Sequence, residues 1–297
     1  MKARLLTRKW PWLSKHKKDK PTKADNFRNI EEQNGLKLLY DAPDAQMDII
    51  AVHGLNGHRE RSWTASNTTN WLQSLLPTDI PHARVHTWGY DTPSNNTAPQ
   101  TSVFQHASKN LVHDVQRMRE DTATHALPII FIAHSQGGTV VKSALLYSDI
   151  ERKKSESTSI DDRHSVCLAT RGVIFIGTPE LDSRLNGLRA YLSSLGESGQ
   201  DEPADLKEAR WIVSVLESYA AIADRFITIF VYECLDQKEH HDTWTQTVSE
   251  SHRLSPHILI NSDHGNMIKF GSRTDPGPSI IKLTLKAYID TIFHSFH

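Results

Sequence analysis

The sequence predicts an α/β fold, a mostly parallel sheet covered by helices on both faces, and three observations carry that expectation. Short apolar runs such as Ile49–Val52 and Ile129–Ile132 suit strands buried on both faces. They alternate along the chain with longer segments of helical apolar spacing. One run ends abruptly in a turn of small residues that leads straight into a helix. In order, a first strand is expected near Leu36 to Tyr40, then a strand over 48–53, a helix around Trp63 to Leu76 and a strand from Arg84 to Trp88. A helix around Val103 to Glu120 follows, with Val103, Leu111, Val112, Val115 and Met118 on its apolar side. The charged, serine-rich stretch from Glu151 to Arg163 reads as a surface excursion. After the strand Val173–Gly177, residues 181–225 read as helical, with Leu185, Leu188, Tyr191, Trp211, Val215 and Tyr219, at the place where a lid would be inserted. That apolar content could equally be core facing the sheet. Two late strands, Phe226–Tyr232 and Pro256–Asn261, complete the plan.

The abrupt turn is Ala133-His134-Ser135-Gln136-Gly137-Gly138, between Ile129–Ile132 and the helix that starts Thr139-Val140-Val141. A strand-to-helix elbow forces its apex residue into a strained conformation and brings strand and helix together, so the residues two before and two after the apex must be small. Here they are Ala133 and Gly137, one alanine away from G-x-S-x-G. This is how an α/β-hydrolase fold presents a nucleophile, which makes Ser135 the candidate. The N–H of Gln136, at the helix start, would face a developing oxyanion. The earlier strand ends in His53-Gly54-Leu55-Asn56-Gly57, where Gly54 allows close approach and Leu55 supplies the second oxyanion donor.

A base and an acid must follow in the order serine, acid, histidine. His264 lies in the loop after the last expected strand, which sets it apart from the other members of a set of 17 histidines. For the acid, Glu233 ends the strand Phe226–Tyr232 and is favoured. Asp236 lies one step further on, Glu180 and Asp182 follow the preceding strand, and Asp263 is next to His264 itself. Side chains of sequence neighbours rarely face one another, so Asp263 is the weakest of these.

The run from Val52 to His58, together with Ser62-Trp63-Thr64, Asn70-Trp71-Leu72 and Gly89-Tyr90-Asp91, resembles fungal serine esterase-like proteins related to the eukaryotic serine active site-containing proteins. The resemblance extends to the Ser135 elbow, to Gly172–Pro179 and to Asp263–Phe270, and covers roughly residues 45 to 272. It implies an α/β-hydrolase with Ser135 as nucleophile and His264 as base, and a Tyr-Glu pair matching Tyr232-Glu233. The family continues Gly-Thr-Pro with His-Arg-Gly-Ser, whereas this chain reads Glu180-Leu181-Asp182-Ser183.

At 297 residues and 33.6 kDa, with 38% hydrophobic and 23% charged residues, the chain reads as one globular enzyme domain over 35–297. A net charge of −1 offers no general attraction to nucleic acid. No apolar run approaches the roughly 20 residues that span a bilayer. Cys167 and Cys234 are too few for a disulfide framework and fit a reducing compartment. His240-His241, among charged neighbours, read as a solvated loop, and no metal or other cofactor is expected. Residues 1–34 differ in character: Lys2, Arg4, Arg8, Lys9, Lys15, Lys17, Lys18 and Lys20 surround Trp10, Pro11 and Trp12. This arm lacks the apolar core of a secretory signal. It reads as a flexible tail or as a peripheral membrane or mitochondrial contact of an otherwise cytoplasmic protein. The expectation is therefore an intracellular serine esterase or lipase-like hydrolase of a small-molecule or lipid ester. An acyltransferase or thioesterase using the same acyl-enzyme, and a non-catalytic signalling module of the same fold, are the alternatives.

Overall fold

The structure, a computed structural model, describes residues 33–91, 100–155, 164–178, 204–233 and 257–275, with positions 277, 281, 283, 285 and 286. All of these belong to one unit, Gln33–His297. Residues 1–32 of the basic arm lie outside the described residues.

Among the described residues, seven strands form one sheet: β1 (Gly35–Tyr40), β2 (Met47–Val52), β3 (Ala83–Gly89), β4 (Ile129–His134), β5 (Thr170–Ile176), β6 (Ile227–Glu233) and β7 (His257–Ile260). Their order is β1-β3-β2-β4-β5-β6-β7. Only β1 runs antiparallel to its neighbour, β3; every other pairing is parallel. This is the α/β-hydrolase fold. The α-helices among the described residues are α1 (Trp71–Ser74), α2 (Leu76–Asp79), α3 (Gln100–Asp121), α4 (Gln136–Ser155), α5 (Val166–Ala169) and α6 (Ala204–Ala220).

β2, β3 and β4 are buried along their whole length, as apolar runs covered on both faces require. Because side chains alternate, each strand feeds two cores. Ile50, Val52, Phe131, Ala133, Val173, Phe175 and Phe230 face one core, which Phe104 and Leu111 of α3, Val140 and Leu145 of α4 and Tyr219 of α6 complete. Ile49, Ala51, Ile130, Ile132, Ile174 and Val231 face the other, closed by Trp63, Trp71, Leu72, Met267 and Phe270.

The helix expected around Trp63 to Leu76 is instead a single 3₁₀ turn, Arg61–Trp63, followed by α1 and α2. Ser66-Asn67-Thr68-Thr69 explains the break. The Thr69 carbonyl accepts from Ala65 N–H, Thr68 sits at φ 65°, and Thr64 bridges to Asn70, so the chain doubles back there. Trp63 and Trp71 still meet edge to face, at 6.2 Å, as paired core residues. Within 181–225, the described helix α6 places Ile212, Val213, Val215, Leu216 and Tyr219 in buried positions, and Trp211 stacks on Phe104 of α3 at 5.8 Å. It is a core helix. The rest of that segment up to 203 lies outside the described residues, as do residues 156–163 of the charged excursion.

From β2 the chain moves to β3 on one side, then crosses back to place β4 on the other side of β2. The carboxyl ends of β2 and β4 therefore flank a topological switch point, where open α/β sheets form their ligand crevices. At the opposite end of the sheet, Asp48 is fully buried between Arg84 (2.6 Å) and Arg119 (3.2 Å), and Arg119 also donates to the Leu127 carbonyl at 2.9 Å. That cluster fixes the strand starts and leaves the carboxyl ends free for chemistry.

Candidate active site

Ser135 follows the last residue of β4 and has φ 53°, a left-handed conformation that a non-glycine residue adopts only when its surroundings impose it. Two main-chain bonds impose it here. Ser135 N–H donates to the Ile176 carbonyl at 2.9 Å, and its own carbonyl accepts from Gly138 N–H at 3.0 Å. The small residues around the elbow have measurable reasons. A Cβ placed on Gly137 would lie 2.3 Å from the His53 carbonyl oxygen, and one on Gly54 would lie 2.7 Å from Ser135 Cβ. A Cβ is excluded at Gly137 by the His53 backbone and at Gly54 by the Ser135 side chain and the His134 carbonyl, which seats the loop after β2 directly against the elbow.

That loop is a tight turn. Gly57 N–H donates to the Gly54 carbonyl at 3.0 Å, Asn56 takes φ 56°, and His53 Nδ1–H donates to the same carbonyl at 2.8 Å. His53 Nε2 accepts from Tyr90 N–H at 3.4 Å, and the two rings stack at 4.7 Å. Leu55 therefore sits on a braced turn beside Ser135. Gln136 opens α4, whose first-turn N–H groups have no helical acceptor. Its side chain is buried and accepts from Thr139 Oγ1 at 3.0 Å, so it folds back onto its own helix.

His264 comes to the elbow from the far end of the chain. Its Nε2 lies 2.9 Å from Ser135 Oγ, and its Nδ1 lies 3.6 Å from Glu233 Oε2. The first is a hydrogen bond; the second is an ion-pair separation too long for a direct one. Glu233 is the last residue of β6, paired in register with Ile260 of β7, so both arise from adjacent strand ends. Asp263 is occupied elsewhere. Its Oδ1 accepts from Gly265 N–H (3.0 Å) and Asn266 N–H (2.9 Å), and its Oδ2 from Asn266 Nδ2 (2.7 Å). Burial works against its charge, but those bonds outweigh it and hold the carboxyl below its ordinary value. Glu180, Asp182, Asp236, Cys234, His240 and His241 lie outside the described residues.

The loop carrying His264 is clamped twice by residues that the motif reading did not single out. Trp71 Nε1–H donates to the Ile268 carbonyl at 2.9 Å, and His134 Nε2 lies 2.9 Å from the His264 carbonyl. Trp71 stood within the matched Asn70-Trp71-Leu72 run, but nothing local announced its partner. Among the described residues, no group of His, Cys, Asp and Glu could hold a metal ion, and no helix is long and apolar enough to cross a membrane.

Three buried histidines give the fold a pH signature. Desolvation chiefly, with smaller charge effects, brings His53 and His86 to about 4 and His134 to about 3, from an ordinary 6.5. Each is neutral in the folded chain and free to protonate in the unfolded one. Stability should therefore be constant above pH ~6.5 and fall as pH drops toward ~4, by about 1.4 kcal/mol per pH unit for each histidine. Urea unfolding at pH 7, 6 and 5 tests this, in an interval above the ordinary carboxylate range. A flat profile would contradict the burial of these rings as neutral groups.

No family model matches the chain. The chain is similar to human Protein SERAC1, 26% identical over 173 residues that make up 52% of this chain and 25% of that protein. It thus spans about a quarter of the length of the relative it matches. Among solved structures, the Bacillus licheniformis lipase BlEst2 in mature form is similar with a TM-score of 0.48 and 14% identity, covering 85% of this chain and 97% of that one. A carboxylesterase structure from Nitrososphaera gargenis gives a TM-score of 0.47 and 12% identity, over 86% of this chain and 96% of that one.

Proposed function

We propose that this chain is a serine hydrolase that cleaves a carboxylic ester of a lipid or secondary metabolite through an acyl-enzyme. The observation that carries the reading is the 2.9 Å approach of His264 Nε2 to Ser135 Oγ, on an elbow at φ 53° beside the switch point of the sheet. A serine hydroxyl is a weak nucleophile unless a base takes its proton as it attacks. His264 Nε2 accepts that proton while Ser135 Oγ bonds to the ester carbonyl carbon. The carbonyl oxygen becomes an oxyanion between the N–H groups of Leu55 and Gln136, both carried on backbone that the elbow packing holds rigid. The imidazolium, with Nδ1–H toward Glu233, then passes its proton to the departing alcohol oxygen as the C–O bond breaks. Water then gives a proton to His264 as it attacks the acyl carbon, and the bond from that carbon to Ser135 Oγ breaks as His264 returns the proton to the serine, releasing the acid. The chemistry uses no group beyond these side chains and backbone donors. The similarity to SERAC1 over half the chain agrees with this reading.

The test is covalent. A fluorophosphonate probe should label wild-type protein at Ser135 alone, because only an elbow serine with a base beside it is activated. Labelling that survives Ser135→Ala would place the nucleophile elsewhere. A panel of p-nitrophenyl esters of increasing acyl length, run with and without alcohol and thiol acceptors, separates hydrolysis from acyl transfer and defines the acyl pocket.

A further inference from the structure

The residue before the nucleophile makes a contact that the chemistry above does not use. His134 is buried at the end of β4, and its Nε2 lies 2.9 Å from the main-chain carbonyl of His264. A carbonyl only accepts, so Nε2 carries the proton and donates. The same residue's imidazole lies 4.9 Å from the His264 ring, tilted by 38°. The His264 ring also lies close to Gly177, where a Cβ would stand 3.0 Å from its Cε1. The ring of His264 thus has both Gly177 and His134 as close neighbours, while its backbone is held by the His134 side chain.

We infer that His134 is a positioning residue, whose imidazole N–H grips the His264 carbonyl and keeps the base in register with the serine one residue further along the chain. The inference rests on the serine-hydrolase reading. The nucleophile is fixed by β4 and α4, but the base stands on a loop of turns after β7, and its approach to Ser135 Oγ must be set by something rigid. A side chain anchored in β4 meets that need, since Ser135 and His134 move together. Neutrality suits the task. Burial first, and the neighbouring His264 next, bring His134 to about 3, while its other electrostatic neighbours are His53 and Lys269. It therefore remains an uncharged donor across the pH range in which His264 must cycle its own proton. A protonated ring there would oppose the imidazolium that forms on His264.

The contact can be removed and restored. In glutamine, the amide nitrogen is as many bonds from Cβ as His Nε2 is, so it can reach the same carbonyl; in asparagine it is one bond too short. His134→Leu and His134→Asn should lower kcat roughly tenfold to a hundredfold per active site, the scale expected when a reacting group shifts by about an ångström, with KM changed less than about twofold. His134→Gln should recover to within about threefold of wild type. Active sites are counted by fluorophosphonate titration and turnover is measured with p-nitrophenyl butyrate, so a loss of folded protein does not register as a loss of kcat. If the leucine variant fails to fold, the Gln and Asn variants carry the comparison alone. Equal kcat per titrated site in wild type and His134→Asn overturns the positioning role, and so does a Gln variant no faster than the Asn variant. Wild-type protein that takes no label at all overturns the serine-hydrolase reading on which this inference stands.

Discussion

Replacing His264 with alanine is expected to slow ester hydrolysis by about 10⁴-fold or more while leaving the protein folded. The size follows from the role. Without the imidazole, Ser135 has no group to receive its proton, and the residual rate falls to what the oxyanion donors and substrate binding supply together. The survival of the fold follows from what holds the loop. Met267 N–H donates to the Asp263 carbonyl at 3.0 Å, Trp71 Nε1–H donates to the Ile268 carbonyl at 2.9 Å, and Met267, Ile268 and Phe270 are buried in the second core. None of these depends on the ring, and His134 grips a carbonyl that alanine also has. The side chain of His264 is 36% exposed, so its loss opens no large cavity. Steady-state turnover and a thermal melt on the same preparation check both halves. Turnover within tenfold of wild type would move the base to another histidine.

The elbow could be read from sequence because its determinants are local: a buried strand, small residues at fixed offsets from Ser135 and a helix directly after it. Their physical reason, the exclusion of a Cβ at Gly137 by the His53 backbone and at Gly54 by Ser135 itself, was implicit in the residue types. The sheet was legible for the same kind of reason, since strands buried on both faces can only be written as apolar runs. The segment after Trp63 was not. Its tryptophans eight positions apart mimic a helical face, yet they meet because four consecutive turn-forming residues fold the chain back between them. Pro77, at the start of α2, further divides the segment. Nor was the His134 contact visible, because it joins residues 130 positions apart and has no spacing to detect. The demotion of Asp263 rested on the geometry of sequence neighbours. The structure adds the stronger reason that its carboxylate is committed to three N–H donors of its own turn.

Glu233 carries the sharpest test of the proposed triad. Its Oε2 faces His264 Nδ1 at 3.6 Å, closer than a separate ion pair requires and longer than a hydrogen bond, with its side chain 30% exposed. At that separation a carboxylate stabilises the imidazolium by charge, and a small rotation about the glutamate's extra methylene would close the gap as the ring becomes protonated. Glu233→Gln keeps the shape and the strand pairing of β6 with β7 but removes the charge, so the protein should fold normally. Turnover should drop roughly a hundredfold or more, because the imidazolium loses its partner and an amide can hold the ring in the wrong tautomer. Asp263→Asn should cost far less in turnover, since that side chain serves the turn, and its effect should appear chiefly as a lower melting temperature. Glu180→Gln, Asp182→Asn and Asp236→Asn extend the comparison to the other candidate acids. The assignment predicts that Glu233→Gln is the most damaging of the five. A larger loss of turnover at any other would transfer the role to that residue, and a loss at Glu180 or Asp182 would place the acid after β5 instead of at the end of β6.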